Sequence, residues 1–341
     1  MPIAALEASS PAHVFEFLDR YVSPRGAAHW HWKYQLDVPG SGPRAFYHVQ
    51  ADGTVAGFIG ILPTTLHSPA NRTRAAWFVD WATRPGEGAV GSGVALLRRA
   101  QAATDLLLTL QGSTDTQAIL PKLRWSMIER PAVWVLRTSA RAIAVRGPAR
   151  DRAWLRAPAL LAGSVVARTR RVARVAGAAF TLEEVERVPP SYDAVWDARR
   201  DEFAPVMERS SAQLDFMCGR YPDGGYRSFL LHVDGAVAGH LLLRLDEKDE
   251  LSRGRIIDVL WPRTRPGVLE WLVREACGIL QEHGVDYIEC TASAADLERA
   301  LAGCRFARLR PVPVWYHRLP DGAASPDAWF LTYLDCDRAY R

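Results

Sequence analysis

The sequence has few cysteines and no long apolar run. Its five cysteines all lie in the second half and include no Cys-x-x-Cys pair, and no His-Glu-x-x-His motif occurs. This pattern indicates neither a disulfide framework nor a zinc site, so we expect no metal. No stretch approaches the roughly 20 uncharged apolar residues of a membrane-spanning helix, and the first residues lack a signal-peptide pattern. We therefore expect a cytoplasmic protein without a membrane span.

Lysine is also scarce: three of the 42 basic residues are lysine and the rest are arginine, a bias that a G+C-rich genome also produces. The net charge of +4 is unevenly distributed, because residues 137–174 contain ten arginines and one acid, which leaves the remainder acidic. A basic DNA-binding surface is therefore not predicted. Apolar residues, in contrast, make up 48% of the 341 residues, enough for two packed domains and too many for a disordered chain.

The order of predicted elements is repeated along the chain. In each half an Asp-Gly turn joins two apolar strands, followed by a strand that carries an acid, Asp80 or Asp258, and by an apolar-periodic helix. A further strand then opens with Asp105 or Asp286, and the second set of landmarks lies about 180 residues after the first. A helix between two strands implies a parallel pair in an otherwise antiparallel sheet, so each half is predicted to be a mixed α+β domain.

These landmarks predict two domains and a linker. Residues 1–137 form the first domain, residues 181–341 the second, and residues 138–180 an Ala- and Arg-rich linker whose apolar residues fall on one helical stripe. The basic side of the linker suits anionic lipid, RNA or a carrier protein. The alternative is an interdomain helix that packs through its apolar stripe.

The join between strand and helix in the first half is rich in glycine. Four glycines lie within residues 86–93, directly before the predicted helix. Glycines let the backbone approach a ligand closely, and the unpaired N–H groups at a helix start favour an anion such as a pyrophosphate. A plain connecting turn has the same composition. The preceding hairpin argues against a Rossmann domain, and no Gly-Lys-Ser/Thr follows to make a Walker motif.

With these features in this order, the chain resembles the GNAT acyltransferases with two GNAT domains in tandem, over nearly its whole length. The resemblance implies that coenzyme A binds to the backbone of the glycine-rich loop through its pyrophosphate, and to the preceding strand through its pantetheine arm. The loop residues are Gly88, Ala89, Val90, Gly91, Ser92 and Gly93, and the strand residues are Trp81, Ala82 and Thr83. The resemblance also places Ser113 near the thiol, although Ser113 is equally suited to cap a helix.

The chain departs from the GNAT pattern in three places. Gly88 stands where the family usually has Arg or Gln, and the tyrosine that many members carry after the fifth strand is missing from both halves. In the second half the loop reads Pro262-Arg263-Thr264-Arg265-Pro266-Gly267, with two prolines that donate no N–H. We expect the coenzyme in the first domain only, with the second serving substrate binding or structure. Arg263 and Arg265 either bind a phosphate by charge or are solvated.

Acyl transfer to an amine needs a general base for the amine proton and a donor for the thioester oxyanion. The predicted catalytic residues are Asp80, where burial would raise the carboxyl pKa, and His31, in the segment HWHWKY, while His29 is a candidate for substrate binding. Alternatively, Asp80 pairs with an arginine or caps a loop, and the two histidines are structural neighbours of Trp30 and Trp32.

The last segment, residues 329–337, alternates like a strand and ends in Asp335 and Asp337, which either face the substrate or are solvated. It resembles the tails of tandem GNAT enzymes that act on nucleotide-linked amino sugars. The resemblance implies an N-acyltransferase that moves an acyl group from acyl-CoA, or from an acyl carrier protein, to such a sugar in polysaccharide biosynthesis. Two alternatives stay open: an aminoacyl transferase that uses charged tRNA, and a non-catalytic binding module with the same fold.

Overall fold

A computed structural model of the chain describes residues 3–36, 43–69, 71–86, 91–146, 179–319 and 328–339. Most of the predicted linker, residues 147–178, and the loop residues Gly88, Ala89 and Val90 lie outside these ranges. Within the described residues the chain forms two large mixed sheets flanked by helices.

The first half of the chain contains five helices and seven strands within the described residues. The helices are α1 (Ala12–Tyr21), α2 (Ala27–Tyr34), α3 (Ser92–Gln101), α4 (Thr114–Ile119) and α5 (Ala140–Arg146). The strands are β1 (Ile3–Ala5), β2 (Ala45–Val49), β3 (Val55–His67), β4 (Arg72–Thr83), β5 (Leu106–Leu110), β6 (Ser126–Ile128) and β7 (Ala132–Arg137). The predicted hairpin is confirmed as β2 and β3, and Gly53 in its turn has a φ of 82°, which glycine adopts without strain.

The second half repeats this order. Its helices are α6 (Asp193–Phe203), α7 (Ser211–Leu214), α8 (Val268–Glu282) and α9 (Ala295–Gly303), and the tail ends in a 3-10 turn, Cys336–Ala339. Its strands are β8 (Phe180–Val185), β9 (Val206–Met207), β10 (Tyr226–Val233), β11 (Ala236–Lys248), β12 (Leu251–Leu260), β13 (Tyr287–Ala292), β14 (Ala307–Pro311) and β15 (Val314–His317).

The two sheets confirm the predicted mixed α+β class. The first has the strand order β1-β2-β3-β4-β5-β15-β6, with β9 beside β3, and the second the order β14-β7-β13-β12-β11-β10-β8. Among the described strands, only the pairs β4/β5 and β12/β13 are parallel. Each parallel pair is joined through a helix, α3 or α8, as a crossover requires.

Strands cross between the halves, which the sequence did not predict: besides the two-residue β9 beside β3, each half gives one longer strand to the sheet of the other. Strand β7 of the first half lies between β13 and β14 of the second sheet, and β15 of the second half lies between β5 and β6 of the first. The predicted domain boundary at residue 137 therefore does not separate the two sheets, because β7, which precedes it, belongs to the second sheet and β15, which follows it, to the first. Because the two halves present the same kind of strand edge, a strand from either copy satisfies the main-chain hydrogen bonds of the other.

Helices α3 and α2 cover opposite faces of the first sheet. Leu96 and Leu97 of α3 pack with Phe78 on one face, whereas Trp30 and Tyr34 of α2 pack with the other face. Alternate residues of β4 therefore point to different helices, as strand geometry requires. The junction between β4 and β5 is therefore flanked by α3 on one face of the sheet and by α2 on the other.

Candidate active site

The parallel strands β4 and β5 separate where the predicted site residues begin. Their pairing ends at Trp77 and Leu108, and a register shift against β3 follows at Phe58 and Gly60. At this bulge Asp80 has a φ of 52°, which is uncommon for a residue with a Cβ. A bulge re-aims the side chain and ends the regular ladder, so it opens a gap between the strands and turns Asp80 towards α2.

Asp80 belongs to a buried charge network. Lys33 Nζ and the Tyr34 hydroxyl of α2 both donate to Asp80 Oδ2, at 2.5 Å each, and Lys33 Nζ also lies 3.3 Å from Asp337 Oδ2. The side chains of Asp80, Lys33 and Asp337 are at most 7% exposed. These three side chains, one cation and two carboxylates, together carry a formal charge of −1. Asp80 does pair with a basic residue, but that residue is a lysine.

The network borders a large cleft of about 1250 Å³ between the two sheets. The first half contributes Asp80, His29, Lys33, Ser113 and the strand residues Trp81 and Ala82, among others. The second half contributes residues of β11, β12, β14 and the tail, including Asp337. The cleft exceeds the roughly 300–1,000 Å³ of most small-molecule sites, so it has room for a large ligand or for two.

His29 lies in the cleft wall, in contact with aromatic rings. Its imidazole is 5.0 Å from the Trp30 ring and 5.5 Å from that of Trp32, and its Nδ1 has no hydrogen-bond partner among the described residues. Burial lowers the pKa of His29 to about 4, and the charges of Lys33 and Arg25 act in the same direction. The imidazole is therefore neutral at pH 7 and able to accept a proton or a hydrogen bond.

We expect His29 to make the protein less stable in mild acid. Its folded-state pKa lies below the unfolded value of about 6.5, so the unfolded state binds the proton more readily, and stability falls as the pH drops from 6.5 towards 4. Allowing for solvent in the cleft, wild type should lose about 1–2 kcal/mol more unfolding free energy than His29→Gln between pH 7 and pH 4.5. Urea unfolding at several pH values measures this, and His31→Gln controls for loss of an imidazole from α2. Parallel pH profiles of wild type and His29→Gln would contradict the assignment.

The structure does not bring His31 to Asp80. The His31 ring stacks on Phe15 with 5.1 Å between centroids, and His31 is not among the described residues that line the cleft. On a helix, residues 29 and 33 share a face, while residue 31 points away from it. His29 and Lys33 of α2 therefore line the cleft, whereas His31 does not.

The described part of the glycine-rich loop forms the start of α3. Gly91 is the N-cap with a φ of 81°, and the Trp81 indole donates a hydrogen bond of 3.1 Å to the Gly93 carbonyl. A Cβ on Gly93 would lie 3.2 Å from Thr83 Cγ2, so the strand and the helix start approach closely. Ser92 is buried, with its Oγ 2.6 Å from His48 Nδ1, and therefore faces the protein interior.

Ser113 caps α4, as one of the two interpretations of the sequence predicts. Its Oγ accepts a hydrogen bond of 3.2 Å from the Thr116 amide. It also lines the cleft, three residues after the end of β5. The capping role and a place near a ligand are therefore compatible.

The second half contains a closely related network that is sealed from solvent. Arg209 lies 2.6 Å from Asp335 and 3.2 Å from Asp258, and His240 and Thr332 also contact Asp258. Burial raises the pKa of Asp335. Burial has the same effect on Asp258, but the Arg209 and His240 charges outweigh it and hold that pKa below its ordinary value. Asp335 and Asp337 are both buried in ion pairs, so the solvated alternative is wrong for both.

The tail fills the gap between β12 and β13. The Leu334 amide donates to the Ile257 carbonyl at 3.1 Å, and Ser293, just after β13, donates to the Trp329 carbonyl at 2.5 Å. The equivalent gap in the first half borders the cleft. Arg263 contacts Glu202 and Asp296, and Arg265 pairs with Asp234. Both arginines of the degenerate loop are therefore engaged within the chain.

The described residues contain no helix long and apolar enough to cross a membrane and no group of three or more His, Cys, Asp and Glu side chains suited to a metal ion. Lys33, Tyr34 and Arg209 are the functional candidates that sequence reasoning missed. For Lys33 a signal existed, because it is one of only three lysines in the chain.

Comparisons with known proteins bear on the fold. No protein-family model matches the chain, and neither does any curated protein sequence. A GCN5-related N-acetyltransferase from Anabaena variabilis is similar in structure, with a TM-score of 0.63 and 14% identity over 92% of this chain and 72% of that one. A conserved Enterococcus faecalis protein of unknown function gives 0.59 and 12% over 92% and 71%. Saccharomyces cerevisiae N-myristoyltransferase with bound myristoyl-CoA gives 0.60 and 10% over 96% and 85%. The chain therefore has the fold of GCN5-related N-acyltransferases.

Proposed function

We propose that the protein is an N-acyltransferase that takes an acyl group from coenzyme A in its first half and passes it to an amine in the cleft. The observation that carries the proposal is the gap between β4 and β5, which has the start of α3 on one face and Asp80 on the other. The fold shared with N-acetyl- and N-myristoyltransferases supports the same reaction class.

The gap suits an extended thioester arm. Beyond Trp77, β4 makes no ladder pairs with β5 among the described residues, and such a separation between strands suits the amides of a pantetheine arm. The N-terminus of α3 favours negative charge and suits the pyrophosphate at the other end of the coenzyme. In the second half the tail occupies the corresponding gap. We therefore assign one coenzyme per chain.

The reaction needs one proton to leave the amine. The amine nitrogen attacks the thioester carbonyl carbon, the C–N bond forms, the C–S bond breaks, and the thiolate takes a proton from water. We assign the Asp80 carboxylate as the acceptor of the amine proton, and Lys33 and Tyr34 as the residues that hold this carboxylate in place. Neutral His29, which lies on the same helix as Lys33 and Tyr34, lines the cleft and is positioned to bind the acceptor.

We further infer that the acceptor is a nucleotide-linked amino sugar. Such a molecule is large and anionic, and the cleft of about 1250 Å³ has room for it beside the thioester end of the coenzyme. The negative network around Asp80 complements an amine, and the opposite wall carries an excess of arginine and lysine.

Coenzyme binding is tested with a matched pair of glycine variants. Gly91 and Gly267 are the N-caps of α3 and α8, have φ values of 81° and 80°, and have open space where a Cβ would lie. Acetyl-CoA at about 100 times its Kd should stabilise wild type by about 2.7 kcal/mol, or about 4 °C in Tm for a chain of this length. Gly91→Glu places a negative charge at the pyrophosphate site and should abolish the shift, whereas Gly267→Glu should retain it.

The chemistry is tested with the same proteins by release of free thiol from acetyl-CoA and myristoyl-CoA. Thiol release that requires an added amino sugar nucleotide would support the proposal and exclude a non-catalytic module. A wild-type protein with no Tm shift for either acyl-CoA, or an equal loss in both glycine variants, would contradict a coenzyme site at α3.

A further inference from the structure

A cluster of three arginines on the second sheet lies beside the cleft, with Arg253 and Arg255 in its lining, and takes no part in the acyl transfer step. Arg244, Arg253 and Arg255 of β11 and β12 are buried, with 5%, 6% and 1% exposure. All three pair with one carboxylate, that of Asp246, and Arg253 also lies 3.5 Å from Glu289. These three guanidinium groups and two carboxylates carry a net positive formal charge in a buried place, which favours an anion nearby.

The excess of positive charge continues along this wall of the cleft. The basic residues that line it from β7, the second sheet and the tail are Arg137, Lys248, Arg253, Arg255, Arg310 and Arg338. The acids that line it from the same elements are fewer: Glu247, Asp249, Glu289 and Asp337. Burial and the neighbouring Arg253 lower the pKa of Arg255.

Two arginine side chains along this wall have donor atoms that make no hydrogen bond to the described part of the chain. Arg255 Nε and Arg338 Nη1 are buried and have no hydrogen-bond partner among the described residues. Arg255 is 1% exposed, so neither water nor a ligand reaches this donor while the side chain keeps its present conformation. Buried polar groups in proteins are nearly always hydrogen-bonded, so a movement of Arg255 that brings this donor to an anion in the cleft would satisfy it.

The cluster is connected to Asp80 through the tail. Arg255 Nη1 donates to the Arg338 carbonyl at 2.7 Å, and the preceding residue, Asp337, contacts Lys33. Lys33 lies on α2, which covers one face of the first sheet. Helix α3, which the glycine-rich join precedes, covers the other face. The arginines are therefore on the acceptor side of the gap, away from the predicted coenzyme pyrophosphate.

We propose that the arginines that line this wall, Arg253, Arg255 and Arg310 among them, bind a phosphate or diphosphate group of the acceptor and so place its amine at Asp80, an assignment that rests on the proposed function. The planar guanidinium fork pairs with two phosphate oxygens at once, which fixes orientation as well as charge. A cleft with a negative network at one end and arginines at the other distinguishes the amine end of the acceptor from its phosphate end.

The test measures binding of inorganic pyrophosphate by calorimetry, without coenzyme, to wild type and variants. Arg310 and Arg308 are both exposed residues of β14, but only Arg310 lines the cleft. Arg310→Ala should weaken pyrophosphate binding about tenfold, as expected for a lost charged hydrogen bond, while Arg308→Ala should change it less than about twofold. Arg255→Met, checked for folding by circular dichroism, should weaken binding at least as much.

Gly91→Glu distinguishes pyrophosphate binding at the arginines from pyrophosphate binding at the start of α3. If pyrophosphate binds to the arginines, Gly91→Glu keeps the wild-type affinity although it loses the acetyl-CoA shift. Loss of pyrophosphate binding in Gly91→Glu, wild-type affinity in both Arg310→Ala and folded Arg255→Met, or no wild-type binding at millimolar pyrophosphate would each overturn the proposal. Pyrophosphate binding to the arginines in a protein that does not bind acyl-CoA would instead count against the proposed function alone.

Discussion

Arg209→Met should destabilise the protein by about 3–5 kcal/mol, because it leaves the carboxylates of Asp258 and Asp335 buried without their cation. All three side chains are at most 1% exposed, and Arg209 bonds to both acids and to the Met207 carbonyl. Removing one partner of a buried pair costs far more than the pair contributes as a whole. Urea unfolding at pH 8 measures the loss.

A double variant shows whether charge is the cause. Asp335→Asn added to Arg209→Met should recover part of the loss, and the cost of the single variant should be smaller at pH 5, where a buried carboxyl takes up a proton more easily. Arg265→Met is the control, because Arg265 and Asp234 form an exposed pair that contributes less than about 1 kcal/mol. An Arg209→Met protein no less stable than Arg265→Met would contradict the argument.

Elements that depend on local sequence were predictable. The Asp-Gly turns, the alternating strands and the periodic helix after each acid-bearing strand define the hairpins and the parallel pairs, because turn chemistry and periodicity act over a few residues. The exchange of β7 and β15 was not predictable in this way. Both strands are short and apolar, and which sheet they join depends on partners far away in the chain.

The candidate site was predicted in part. Asp80, His29 and Asp337 do lie at the cleft, since a strand end, an aromatic segment and the tail meet there. His31 does not, because α2 presents residues 29 and 33 on one face, and drawing that helix from the sequence would have selected Lys33. Arg209 had no such signal: arginine is the common basic residue of the chain, and its partners are 49 and 126 residues away.

The tail explains why the two halves differ in chemistry. Asp335 completes the sealed network of the second half, and Asp337, two residues later, completes the network at the cleft. Between them Cys336 has a φ of 70°, a turn that directs the neighbouring carboxylates to different halves. The same segment thus fills one gap between parallel strands and borders the other, where we propose that the coenzyme binds.

Asp80→Asn should lower kcat for acyl transfer about a hundredfold or more while leaving coenzyme binding and folding intact, because a general base contributes roughly 10²–10⁴ to the rate. The asparagine keeps the shape of the side chain, and Lys33 retains Asp337 as its ion-pair partner. The measurements are steady-state thiol release with a saturating amine and the acetyl-CoA shift in Tm.

His31→Ala is the matched control from α2. If Asp80 is the base, His31→Ala retains at least half of the wild-type rate, since its ring stacks on Phe15 away from the cleft. A large loss of kcat in His31→Ala, with an unchanged kcat in Asp80→Asn, would identify His31 as the acceptor of the amine proton and exclude Asp80 as the general base.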